Sequence, residues 1–257
     1  MLELNGTDSA TASRSASYIL AFETKLASVS RKPEDLLDPY ANYHKMAIND
    51  LPKMSAIIDW KKFLSVTGVK NIDSVIVGQP QFFTSLNGTL KSTPIDVLKN
   101  YLRYNLLSEF ADALPDAYGA EAFNFGKLFS GAKERKPRWK RVIGSEQGAM
   151  GELLGQLYVK QYFDDSAKQR YIKMVEGIRD AYKERIQNLT WMSDSTKEKA
   201  LIKLAAIKRK IGFPDKWKDF SGMEISDDSY VQNLINAGKW WHNYRINKLG
   251  KPVDKDE

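Results

Sequence analysis

Between positions 172 and 189 the apolar residues of this chain fall into a pattern that leaves little choice of structure. Ile172, Val175, Ile178, Tyr182, Ile186 and Leu189 recur at steps of three and four, which is the period of one helix face. Burial of that stripe is the expectation. A second helix is predicted to follow at once. Ser195 and Glu198 have the spacing of a capping box, and Leu201, Leu204, Ile207 and Ile211 supply an apolar face. Lys208, Arg209 and Lys210 would complement the negative helix end, and Gly212 and Pro214 would stop it.

The same reading extends upstream. Thr93 and Pro94 are placed as N-cap and first helical residue, with Ile95, Leu98, Leu102, Leu106 and Phe110 forming the face down to Pro115. In "MGELLGQLYVKQYF" the face is Met150, Leu153, Leu154, Leu157 and Tyr158, and Gly151 and Gly155, one turn apart, are expected to admit a neighbouring helix. Residues 11–26 and 230–249 are also helical by pattern. Only "DSVIVGQPQFF" resembles a strand, and Pro80 restricts it to an edge or an extended loop. The predicted fold class is all-α with little or no sheet and long connections near residues 29–60, 115–147 and 212–228. No internal repeat is visible.

Composition narrows the chemistry. With 257 residues, 42% hydrophobic and 28% charged, the chain can bury the core of one large or two small domains. It has no cysteine, which excludes disulfides, thiolate metal sites and thiol nucleophiles. The net charge of +7 comes from 39 basic and 32 acidic residues spread along the chain, so charge alone does not mark a nucleic-acid or membrane binder. No apolar run approaches the roughly 20 residues of a membrane helix. "MLELNGTDSA" lacks the basic stretch and apolar core of a secretion signal.

The usual catalytic patterns are not found. There are two histidines, His44 and His242, and no HExxH, so a zinc site within the chain is not expected. His242, in "GKWWHNYR", reads as a polar neighbour on a Trp-rich helix. No GxSxG occurs, and "FSGAKERK" has too few glycines for a phosphate cradle. Asp164–Asp165 and Asp227–Asp228 fit helix ends and turns rather than acid/base pairs. "AKERKPRWKRV" sets Lys133, Arg135, Lys136, Arg138, Lys140 and Arg141 around Trp139, an arrangement that could neutralise phosphates and stack on bases. A solvated connection with one anchoring Trp is the preferred reading of it, and nucleic acid is not the expected partner. Three N-x-T sequons stand at Asn5, Asn87 and Asn188, the last in what reads as a buried helix end.

Several stretches together resemble one family, the neprilysin-like zinc metalloendopeptidases. The longest is "ERIQNLTWMSDSTKEKALIKLAAIKRKIGFPDKW", Glu184 to Trp217, which is similar to the family's Leu-x-Trp-Met turn, Thr-Lys-x-x-Ala helix and Ile-Gly-aromatic-Pro-Asp stop. "AFETKLA" at Ala21, "DPYANYHKM" at Asp38, "IDWKKFL" at Ile58, "WKRV" at Trp139 and "GELLGQLYVKQYF" at Gly151 follow the family order. His44 and Ala47 depart from it, standing where the family usually has Asn and Thr.

The resemblance implies a helical lid-type region over residues 1–249 and, at 250–257, the start of a linker to a catalytic domain beyond "KPVDKDE". The chain is thus expected to stop ahead of the catalytic half. It implies no catalytic residue and no metal ligand here, and it leaves substrate-binding residues unassigned. Zinc would belong to the intact parent, bound by HExxH and a later glutamate, where it would activate water against the peptide bonds of short peptides. The implied partners are the catalytic domain of the same polypeptide and those peptides. A bacterial envelope or periplasmic location is expected, with the cytoplasm as alternative. The competing reading is a free-standing helical module that uses the Trp139 patch on nucleic acid or an anionic surface.

Overall fold

A computed structural model describes residues 1–255. Among them are ten α-helices and one two-stranded antiparallel sheet, which agrees with the all-α expectation. The chain divides into two compact units, residues 1–136 with 229–231, and residues 137–228 with 232 onward.

The first unit contains α1 (Ser9–Val29), β1 (Lys45–Ala47), α2 (Leu51–Met54), α3 (Trp60–Val66), β2 (Ser74–Ile76), α4 (Pro80–Ser92), α5 (Ile95–Glu109) and α6 (Asp116–Ser130). Helix α1 is started by Asp8, whose carboxylate accepts from the backbone N–H of Thr11 at 2.9 Å. Its buried face packs Ala12 and Ile19 against Leu2, with Tyr101 and Tyr104 of α5 closing the cluster. Phe22 meets Tyr101 edge to face at 4.9 Å. The one buried hydroxyl on this face, Ser15, accepts from the carboxamide of Asn100 at 3.1 Å, so the helix pair carries no polar deficit there.

The expected strand at "DSVIVGQPQFF" is shorter than its pattern. Ser74–Ile76 pairs with Lys45–Ala47, and Pro80 opens α4 rather than ending an edge strand, because its fixed φ suits the first helical turn. Thr93 consequently closes α4, its hydroxyl donating to the Thr89 carbonyl at 2.7 Å, and Pro94 takes the N-cap position of α5. The connection expected at 115–147 is largely helical. Helix α6 follows Pro115 and ends at Gly131, whose φ of +66° is a left-handed cap. Gly119 and Gly126 dilute its apolar pattern, which is why spacing alone missed it. The 29–60 connection also holds β1, α2 and two 3₁₀ turns.

The second unit contains α7 (Arg138–Tyr162), α8 (Asp165–Asn188), α9 (Asp194–Ala206) and, from Gln232 on, α10 (Tyr230–Ile246). Helix α7 is broken at Met150, where φ is −145° and ψ is 36°. The break diverts the Ala149 carbonyl from the helical ladder, and the Trp241 indole N–H donates to it at 2.7 Å. Gly155 admits the ring of Trp217, which lies 3.6 Å from where a Cβ would stand. An indole from a connection, not the neighbouring helix expected, makes use of that glycine.

Helix α9 begins two residues earlier than the Ser195–Glu198 pair predicted. Ser193 is its N-cap and α9 ends at Ala206, with Ile207 extended. Lys208, Arg209, Lys210 and Ile211 therefore lie beyond the helix, in a segment strapped across α7 and α8. Arg209 pairs with Glu176, Lys168 pairs with Asp215 at 2.6 Å, and Lys218 pairs with Glu152. Residues 212–228 stay irregular, as expected.

Candidate functional site

The residues that carried functional weight in the sequence are divided between the two units. His44 stands in the first unit, its Nδ1 3.0 Å from the Val77 carbonyl at the end of the small sheet. His242 belongs to α10, in the second unit. Among the described residues no three His, Cys, Asp or Glu side chains come together as a metal site.

The acidic pairs act locally. Asp164 is the N-cap of α8, and the backbone N–H of Ala167, at 2.8 Å, and then the hydroxyl of Ser166 hold its carboxyl below the usual range. Asp227 and Asp228 sit in the irregular lead into α10. Of the sequons, Asn87 uses its side-chain oxygen to accept from the Ile57 N–H at 3.0 Å. Asn188 ends α8 and is exposed rather than buried.

The basic run around Trp139 is not one solvated connection. Arg138, Lys140 and Arg141 are helical, on α7, because Pro137 supplies a helix start. Lys133, Arg135 and Lys136 belong to the first unit and the other three cations, with Trp139, to the second. Arg135 turns inward, its side chain 18% exposed, and pairs with Asp112 at 2.8 Å and Asp116 at 2.7 Å. In the second unit the Lys140 ammonium sits 5.3 Å from the centre of the Trp139 ring.

What the structure does present is apolar surface. On α8 the expected buried stripe instead lines a groove shared with α9, about 510 Å³ in volume. Ile178 is 49% and Tyr182 57% exposed there, with Val175, Ile186, Leu204 and Ile207 beside them. In the first unit Ile95, Leu102 and Leu106 form a second exposed stripe along α5, and Phe125, Leu128 and Phe129 are exposed on α6. Spacing identified the α5 and α8 stripes but could not say whether this stretch of chain covers them. A polar groove beside α10 is lined by Asn236, Trp240, Asn243 and Asn247, and of these the sequence drew attention to Trp240 alone.

Comparison with known proteins gives these surfaces a context. Residues 1–214 match the N-terminal model of peptidase family M13. The chain is 28% identical over 254 residues to neprilysin-1 of Caenorhabditis elegans, covering 93% of this chain and 34% of that protein. It is 28% identical over 257 residues to a neutral endopeptidase of Lactobacillus helveticus, covering 99% of this chain and 40% of the relative. Among solved structures, the Mycobacterium tuberculosis zinc metalloprotease Zmp1 in complex with an inhibitor aligns with a TM-score of 0.87 and 30% identity, over 98% of this chain and 38% of Zmp1. PepO from Lactobacillus rhamnosis shares the fold, with a TM-score of 0.89 at 20% identity, over all of this chain and 41% of PepO. The chain therefore spans less than half the length of these relatives, and it belongs to peptidase family M13, the neprilysin-like metallopeptidases, as part of their helical N-terminal region.

Proposed function

We propose that this chain is the non-catalytic helical part of a zinc metalloendopeptidase, which encloses the active-site cavity and restricts substrates to short peptides. The observation that supports the reading is the match of residues 1–214 to the N-terminal model of family M13, together with a zinc metalloprotease structure of which this chain covers 38%. Zinc and its ligands would come from the rest of the polypeptide. The exposed stripes on α5 and α8 support the reading, since apolar surface of that extent is ordinarily covered by a partner. Packed helices suit a wall that excludes water and folded substrates.

The test is size selection by the full-length polypeptide that contains this chain. A short unstructured peptide should be cleaved, whereas the same sequence held within a folded protein should be spared. Equal cleavage of both would overturn the enclosing role.

A further inference from the structure

The polar groove of the second unit is built by α10 and the loop leading into it, and encloses about 380 Å³. Its loop wall is pinned in place. Asn233 donates to the Ser226 carbonyl at 2.7 Å and accepts from the Ser226 N–H at 3.0 Å. Asn236 donates to the Glu224 carbonyl at 3.0 Å and accepts from Gln232 at 2.9 Å. The Phe220 ring stacks on Trp240 at 4.6 Å. A groove fixed in this way loses little order when it binds.

Trp240 and Asn243 lie three residues apart on α10, and Asn247, in the turn that follows the helix, continues the spacing, its N–H donating to the Asn243 carbonyl at 2.9 Å. Among the described residues none hydrogen-bonds the Trp240 indole N–H or the carboxamides of Asn243 and Asn247, and the side chains of Lys239 and Glu224 beside them are likewise unpaired. Their hydrogen-bonding capacity is left for water or a ligand.

We propose that this face of α10 binds an extended peptide segment of about three residues through its backbone. A carboxamide carries both a donor and an acceptor, and so can hold the C=O and N–H of a chain lying alongside it. Asn243 and Asn247, four residues apart, are separated by about 6 Å along the helix axis. Alternate residues of an extended chain repeat at about 6.7 Å, so the two carboxamides match successive inward-facing backbone positions. The indole N–H of Trp240 lies about 4.5 Å further along the axis and offers one more donor.

A saccharide would satisfy the same amides, but it would also need an open aromatic face. Trp240 is stacked on Phe220 and, at 5.2 Å, on Tyr244, and the Lys248 ammonium covers the Tyr244 ring at 4.4 Å. The rings are used up in packing. Lys239 and Glu224 contribute one charge of each sign, so recognition rests on the backbone rather than on peptide charge. The inference goes beyond the peptidase reading. It is tested on this chain without zinc or hydrolysis, so either can fail while the other stands.

The experiment is a titration of the ¹⁵N-labelled chain with acetyl-Val-Thr-Val-Thr-amide, following the Trp240 indole and the Asn243 and Asn247 side-chain resonances. The three signals are expected to move together and saturate. A double substitution, Asn243→Ala with Asn247→Ala, both exposed, should raise Kd about tenfold or more. The same peptide with N-methylated backbone amides should weaken by a similar factor on the unaltered chain, a readout that does not depend on the variant folding. Unmoved signals at millimolar peptide, equal binding of the N-methylated peptide, or saturation of these signals by maltose instead would each overturn the proposal.

Discussion

Single residues decide where this chain bends and where it holds. Gly119 of α6 is buried, and a Cβ built there would meet the guanidinium of Arg135. Glycine to alanine inside a helix ordinarily stabilises by up to about 1 kcal/mol. Here Gly119→Ala is expected to lose that gain and to destabilise by up to about 1 kcal/mol, because the Arg135 guanidinium must move away from Asp112 and Asp116. Urea unfolding checks the sign, and an unchanged or higher midpoint would contradict the packing described. A second residue, Trp241, satisfies the carbonyl freed by the Met150 break. Trp241→Phe keeps an aromatic ring and removes the donor, so it should cost about 1–3 kcal/mol. An unaltered unfolding midpoint would show that water replaces the indole.

Helix ends respond to pH in a direction that the caps fix. Asp8 and Asp164 both have carboxyls held below the usual range, Asp8 by the backbone N–H and then the hydroxyl of Thr11, Asp164 by the Ala167 N–H and then Ser166. A group depressed on folding contributes stability above its unfolded-state pKa of about 3.9. That contribution is lost as pH falls through this value toward the lower folded one. Thermal melts should therefore drop between about pH 5 and pH 3, and Asp8→Ala with Asp164→Ala should flatten that drop while lowering stability at pH 7. An identical pH slope in the variant would contradict the capping account.

At this same scale the sequence is most and least informative. The helices α1, α8 and α10 were legible because apolar periodicity acts over a few residues, but α1 runs from Ser9 to Val29 rather than over 11–26, and α10 stops at Ile246 rather than 249. Helix α6 was not, since its two glycines and its aromatic residues blur the period. The α9 start slipped from Ser193 to Ser195 because both serines stand near suitable partners, and only backbone geometry chooses between them. For the α10 groove the aromatic residues stood out and the helical spacing of Trp240, Asn243 and Asn247 is readable, but the facing wall depends on the loop pinned by Asn233 and Asn236. No local pattern in the sequence encodes that contact.

On the scale of the molecule, the two units contain cores, caps and straps, and among the described residues no three His, Cys, Asp or Glu side chains gather as a metal site. Apolar stripes are exposed along α5 and α8. If Ile178 and Tyr182 are covered only in a longer chain, replacing both by Ser should change the stability of the present chain by less than about 1 kcal/mol and weaken the longer one by several. Equal effects in both would mean that the α8–α9 groove is not a contact of the longer protein.

The central claim is that this chain is the helical, non-catalytic part of a zinc peptidase. The most direct measurement compares this chain with the full-length polypeptide that contains it, reading bound zinc and hydrolysis of a fluorogenic peptide with and without a chelator. The account predicts bound zinc and chelator-sensitive hydrolysis in the full-length protein and neither in the chain alone. Chelator-sensitive hydrolysis by the chain alone, or a full-length protein that takes up no zinc, would contradict it.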